Sequence, residues 1–128
     1  MKRIREWYKK WHNQHRWDTF SKELFRDITT TFLNNRYAIE FPDTVGIHMK
    51  VSKNGRETHL RFVYGGLLGA GLTSAIAELA DKKILNIVVV TTQPLNVLEL
   101  RVLNNAKVRV ITAPTPEELF YFVHRREI

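Results

Sequence analysis

The sequence predicts a single α/β domain, a mixed β-sheet flanked by helices, and three observations carry that prediction. Asn54-Gly55 separates two alternating apolar–polar stretches, and a two-residue type I′ hairpin turn needs positive φ at both central positions, which this dipeptide supplies. The run ILNIVVVTT at 84–92 is apolar and β-branched, as befits a strand buried on both faces. Beyond residue 66, helical and strand patterns alternate, which is the signature of βαβ connections.

The elements follow in order. Residues 2–15 read as a helix with Trp7 and Trp11 at i, i+4 spacing. Asp18 can cap a second helix reaching Asn35, its apolar stripe being Phe20, Leu24, Ile28 and Phe32. A short strand covers 37–41, and Pro42-Asp43 makes a turn. The hairpin strands are expected at 45–51 and 57–64. Gly65-Gly66 then breaks the chain before a helix over 67–81. The buried strand at 84–92 leads through Pro94 to a helix at 95–105, and the last strand is 108–112. Thr115, Pro116 and Glu118 announce a final helix as N-cap, first-turn proline and capping-box acid. Leu119, Phe122 and Val123 would dock that helix on the core.

At 128 residues the chain has room for one real core. No apolar run is long enough to span a bilayer, and the basic N-terminus lacks the apolar stretch of a secretory signal. The absence of cysteine excludes disulfides, thiolate nucleophiles and cysteine-ligated metals, and agrees with a cytoplasmic setting. Residues 1–17 form a basic arm distinct from the body at 18–128. The arm holds Lys2, Arg3, Arg5, Lys9, Lys10 and Arg16 against Glu6 alone, and all three tryptophans. Such an arm suits a polyanion or a membrane surface; equally, it can be an amphipathic helix packed on the body.

Extending the hairpin register from Asn54-Gly55 sets Val51 opposite Thr58, Met49 opposite Leu60, Ile47 opposite Phe62 and Val45 opposite Tyr64, on one apolar face. On the other face Lys50 meets His59 and His48 meets Arg61. Four potential cations facing one another cost stability. That face is therefore expected to be well solvated, to hold neutral imidazoles, or to bind an anion. Other motifs are weaker. The cluster Gly65-Gly66-Leu67-Leu68-Gly69-Ala70-Gly71 follows a strand and opens a helix, as phosphate loops do. It lacks G-x-G-x-x-G spacing and a P-loop Lys-Ser/Thr, so close helix–sheet packing explains it better. No H-x-x-x-H pair occurs, His12 and His15 at i, i+3 in the basic arm are a weak zinc signal, and there is no nucleophile elbow.

The element order over 18–123 resembles the restriction-endonuclease-like (PD-(D/E)xK) superfamily. The segments carrying the likeness are TFLNNRYAIEF, GIHMKVSKNGRETHLRFVYGG and ILNIVVVTTQPLNVLELRVLNNAKVRVIT with APTPEEL. The second half is similar to Mrr-type endonucleases and archaeal Holliday-junction resolvases. The resemblance implies Mg²⁺-assisted phosphodiester hydrolysis by an Asp, a Glu and a Lys on the hairpin. Those positions fall on His48, Arg61 and Val63, and arginine cannot ligate a hard cation.

The expectation is thus a nuclease-like fold without the standard catalytic site and without a bound cofactor. It would bind nucleic acid, DNA foremost, through His48, Lys50, His59 and Arg61, with Lys2, Arg3, Arg5, Lys9 and Lys10 as a clamp. One alternative is a divergent Mg²⁺-dependent DNA endonuclease with a relocated site built from Glu23, Asp43 and His59, or His48. Another is a module that docks on an acidic protein or membrane through the Trp-rich arm. Resolvase-like relatives imply a homodimer, and a mobile-element origin stays open.

Overall fold

The computed structural model describes residues 22–63, 65–83, 85–125 and 128. The N-terminal arm, the Asp18 cap and Tyr64 lie outside the described residues. Among the described residues four helices and five strands follow in the order α1 (Lys22–Asn34), β1 (Ala38–Glu40), β2 (Met49–Lys53), β3 (Arg56–Val63), α2 (Ala70–Lys83), β4 (Ile87–Thr91), α3 (Val97–Asn105), β5 (Arg109–Thr112) and α4 (Pro116–His124). The expected order of elements therefore holds across the described chain.

The strands lie side by side in chain order, β1-β2-β3-β4-β5. Pairing is antiparallel between β1 and β2 and between β2 and β3, then parallel through β4 to β5. Only β2 runs against the rest. The mixed sheet follows from connection length: a two-residue turn reverses the chain, whereas the helical crossovers through α2 and α3 return it in the same direction.

A core cluster lies on each face of the sheet. Ile28 and Phe32 of α1 and Leu119 and Val123 of α4 pack with Met49, Val51, Leu60, Phe62, Val88 and Val90. On the other face Ile76 of α2 and Leu103 of α3 pack with Val63, Ile87 and Val89. β4 feeds alternate residues into both clusters and all five are buried, which is why its sequence reads as an unbroken apolar run. Each fully buried Leu, Ile, Val or Phe contributes roughly 1.5–3 kcal/mol.

Several boundaries shift for local reasons. Helix α3 begins at Val97 rather than at 95, because the Asn96 side chain accepts the Leu98 N–H at 2.9 Å and caps the helix. Helix α2 begins at Ala70, after Gly69 at φ 101°. Helix α4 starts as expected, with the Thr115 hydroxyl accepting from the Glu118 N–H.

The hairpin matters most. Asn54 and Gly55 have φ of 54° and 79°, as the type I′ turn demands. The register matches the expected one for Met49 with Leu60, Lys50 with His59 and Val51 with Thr58. It does not continue below Met49. Gly46, at φ 91°, sits in a turn closed by Ile47 N–H to Thr44 O. The His48 N–H then donates to the carbonyl of Leu60, the residue already paired with Met49, so two residues face one as at a β-bulge. One extra residue inverts the alternation. Ile47 therefore joins the α2–α3 cluster while Phe62 joins the other, and Val45 is 77% exposed, so the apolar face drawn through Val45 and Ile47 is corrected.

Candidate functional site

The polar side of the hairpin is not a cluster of four open cations. Pairing of β1 with β2 sets Glu40 directly opposite Lys50, and Glu57 lies two residues from His59 on β3. Both carboxylates engage one ammonium: Lys50 Nζ lies 2.9 Å from Glu40 Oε2 and 3.6 Å from Glu57 Oε1. The Lys50 side chain is 21% exposed. An expected phosphate contact is thus already occupied by two internal acids, which converge across three strands.

Burial disfavours protonation of both imidazoles. His59 is buried, 8% exposed, and its Nδ1 has no hydrogen-bond partner among the described residues. Burial lowers its pKa, outweighing the opposing pull of the Asn86 backbone, and the charges of Lys50 and Glu57 act in opposite directions. His48 is displaced by the bulge: its ring stacks on Phe62 with centroids 6.0 Å apart, and its Nδ1 accepts the Phe62 N–H at 3.1 Å. Burial, then the nearby Arg61 charge, pull its pKa down to about 4. An Nδ1 that accepts a backbone N–H leaves the proton on Nε2.

Arg61 is the exception on this face. It is half-buried, its Nε is buried without a hydrogen-bond partner, and no carboxylate pairs with it among the described residues. Burial pulls its pKa down from the ordinary value. A guanidinium does not deprotonate in proteins, so this desolvation is a cost borne by a retained charge. At neutral pH the two cations Lys50 and Arg61 balance Glu40 and Glu57, and the unbalanced pairing leaves Arg61 as the group able to accept an outside anion.

The remaining candidates are scattered. Lys2, Arg3, Arg5, Lys9 and Lys10 lie outside the described residues, as does the Glu23 side chain on α1. Asp43 is exposed in the connection between β1 and β2. Among the described residues no group of three or more His, Asp or Glu side chains could hold a metal ion. The positions that the resemblance assigns to the two metal-holding acids carry an imidazole acceptor already in use and a guanidinium, the position of the lysine carries the buried Val63, and this set does not suit Mg²⁺.

The glycine loop is filled from within. The carboxylate of Glu99, buried on α3, accepts the N–H groups of Leu68 and Gly69 at 3.0–3.3 Å. An internal acid therefore sits where a phosphate would be cradled. Gly66 is needed for packing: a Cβ there would lie 2.4 Å from the Pro94 carbonyl oxygen. The sequence pattern did not reveal Glu99, and Glu40 stood there only as an acid open to a relocated metal site, not as the partner of Lys50. The signal for Glu99 was present, since an acid lies in the first turn of a helix whose Val97, Leu98 and Val102 are exposed.

Comparison of the chain with protein-family models, with curated proteins and with solved structures finds no match. The functional reading therefore rests on the geometry of the hairpin face. No helix among the described residues is long and apolar enough to cross a membrane.

Proposed function

We propose that this chain is a nucleic-acid-binding protein on a restriction-endonuclease-like scaffold that lacks the metal ligands of that superfamily. In this reading Arg61 contacts a phosphate of the bound strand. The scaffold reading is supported by the element order α-β-β-β-α-β-α-β-α and by the central place of the β2–β3 hairpin in the sheet.

One observation carries the binding reading: a half-buried guanidinium whose Nε has no partner and which meets no carboxylate among the described residues. The buried Nε is closed to an outside ligand, but the terminal nitrogens of the guanidinium are not among the buried unpartnered atoms, and a phosphate oxygen paired with them would offset part of the cost of the half-buried charge. Arginine suits the task better than lysine because its planar fork matches a phosphate. Burial disfavours the charged form of His59, two residues away on the same face of β3, which limits its repulsion of the guanidinium. Sequence-independent affinity would come from the basic arm, whose cations make up most of the net charge of +7.

The test is a fluorescence-anisotropy titration of a labelled DNA duplex of about 20 base pairs, repeated from about 50 to about 200 mM salt. Binding should weaken linearly in log–log form. Changing Lys2, Arg3, Arg5, Lys9 and Lys10 together to Gln should flatten that slope, and Arg61→Gln should lower it by about 0.9. Absence of binding at the lowest salt would remove the proposal.

A further inference from the structure

We propose that Glu40 and Glu57 are specificity-determining residues of this interface: by engaging Lys50 they withhold its ammonium from the ligand, so that the hairpin face meets one phosphate instead of a run of them. The inference rests on the nucleic-acid reading and adds to it a limit on what the face accepts.

The geometry is built into the strand order. Glu40 and Lys50 are direct cross-strand partners, so their side chains leave the same face of the sheet side by side. Glu57 reaches the same ammonium from the far strand, placing Lys50 between two acids on β1 and β3. Arg61 lies further along β3 on the same face, two residues beyond His59 and four beyond Glu57. A phosphate approaching Arg61 therefore finds the next cation along the ribbon already neutralised, with two carboxylate charges beside it. A continuous backbone laid along the hairpin would bring its following phosphates against those carboxylates, and like charges at close range work against such a partner. A single phosphate at Arg61, as at a strand end or a sharply bent backbone, avoids them.

The inference is separable from general charge. Removing two acids from any basic protein strengthens DNA binding, so the decisive comparison is made with and without Lys50. In the full-length chain, Glu40→Gln/Glu57→Gln should raise the salt slope for the labelled duplex by about 1, the mark of one added phosphate contact. The same two changes in a Lys50→Met background should leave the slope where Lys50→Met alone puts it. A double-mutant cycle of this kind isolates the coupling. Circular dichroism of each variant establishes that the sheet is intact.

If the wild-type chain binds through Arg61 and the acid changes act equally with and without Lys50, the inference is overturned and the nucleic-acid reading stands. If the wild type does not bind but Glu40→Gln/Glu57→Gln does so through Lys50, the reading fails and the withholding role stands. If neither binds, both fall.

Discussion

Both oxygens of the Glu99 carboxylate accept the backbone N–H of Leu68, at 3.1 and 3.0 Å, which ties α3 to the loop that opens α2. The Gly69 N–H adds a second donor at 3.3 Å, while the Thr73 hydroxyl gives its hydrogen to the Gly69 carbonyl at 2.7 Å and so holds the loop beside the buried acid. This contact explains why α3 turns an acid inward and leaves Val97, Leu98 and Val102 outside.

Truncating that acid should be costly. Glu99→Ala strands two N–H groups and is expected to destabilise the fold by about 2–4 kcal/mol in urea unfolding. Because the vacated amides open a helix N-terminus, added sulfate should restore part of the loss in the variant beyond its effect on the wild type. A loss below about 0.5 kcal/mol would mean that the contact holds nothing together.

Gly66→Ala tests the other half of the same joint. Its φ is not in the left-handed region, so the whole penalty comes from the approach of a Cβ to the Pro94 carbonyl at 2.4 Å. Backbone displacement of this kind costs about 1–3 kcal/mol. Gly71→Ala meets nothing within 4 Å and lies inside α2, so it should be neutral or stabilising by up to about 1 kcal/mol. Equal midpoints for the two variants would contradict the packing account.

Protonation of His48 supplies a pH test. Its folded pKa of about 4 lies below the ordinary value of 6.5, so the unfolded chain takes up the proton first. The stability contributed by the neutral ring is therefore complete above pH 6.5 and is lost as pH falls toward 4. His48→Gln removes the titration. Between neutral pH and the acid side of that window, the wild type should lose about 1–2 kcal/mol more than the variant, after discounting for the solvent-exposed part of the ring. Parallel stability profiles for the two proteins would contradict the burial of His48.

What was legible in the sequence was what is fixed locally. Asn54-Gly55 marked the turn and its nearest pairs, and the run at 87–91 marked the strand buried on both faces, because positive φ and two-sided burial each select residue types directly. Thr115 and Pro116 marked α4 for the same reason. The site was less legible because its chemistry depends on longer-range relations. Glu40 reaches Lys50 only through the β1–β2 register, across an eight-residue connection whose path is set by Gly46. His48 leaves the polar face through a bulge that no periodicity announces. The acid that fills the glycine loop comes from 30 residues downstream, and only the packing of α3 against α2 brings it there.

Arg61→Met is the most direct trial of the central claim, because one substitution reads both sides of it. The full-length variant and wild type are compared in duplex binding at about 50 mM salt and in urea unfolding. If a half-buried guanidinium that meets no carboxylate among the described residues is kept for a ligand, the variant should bind the duplex more weakly while being as stable as the wild type or about 1 kcal/mol more so. Unchanged binding, or a variant that binds less only because it is clearly less stable, would contradict the account.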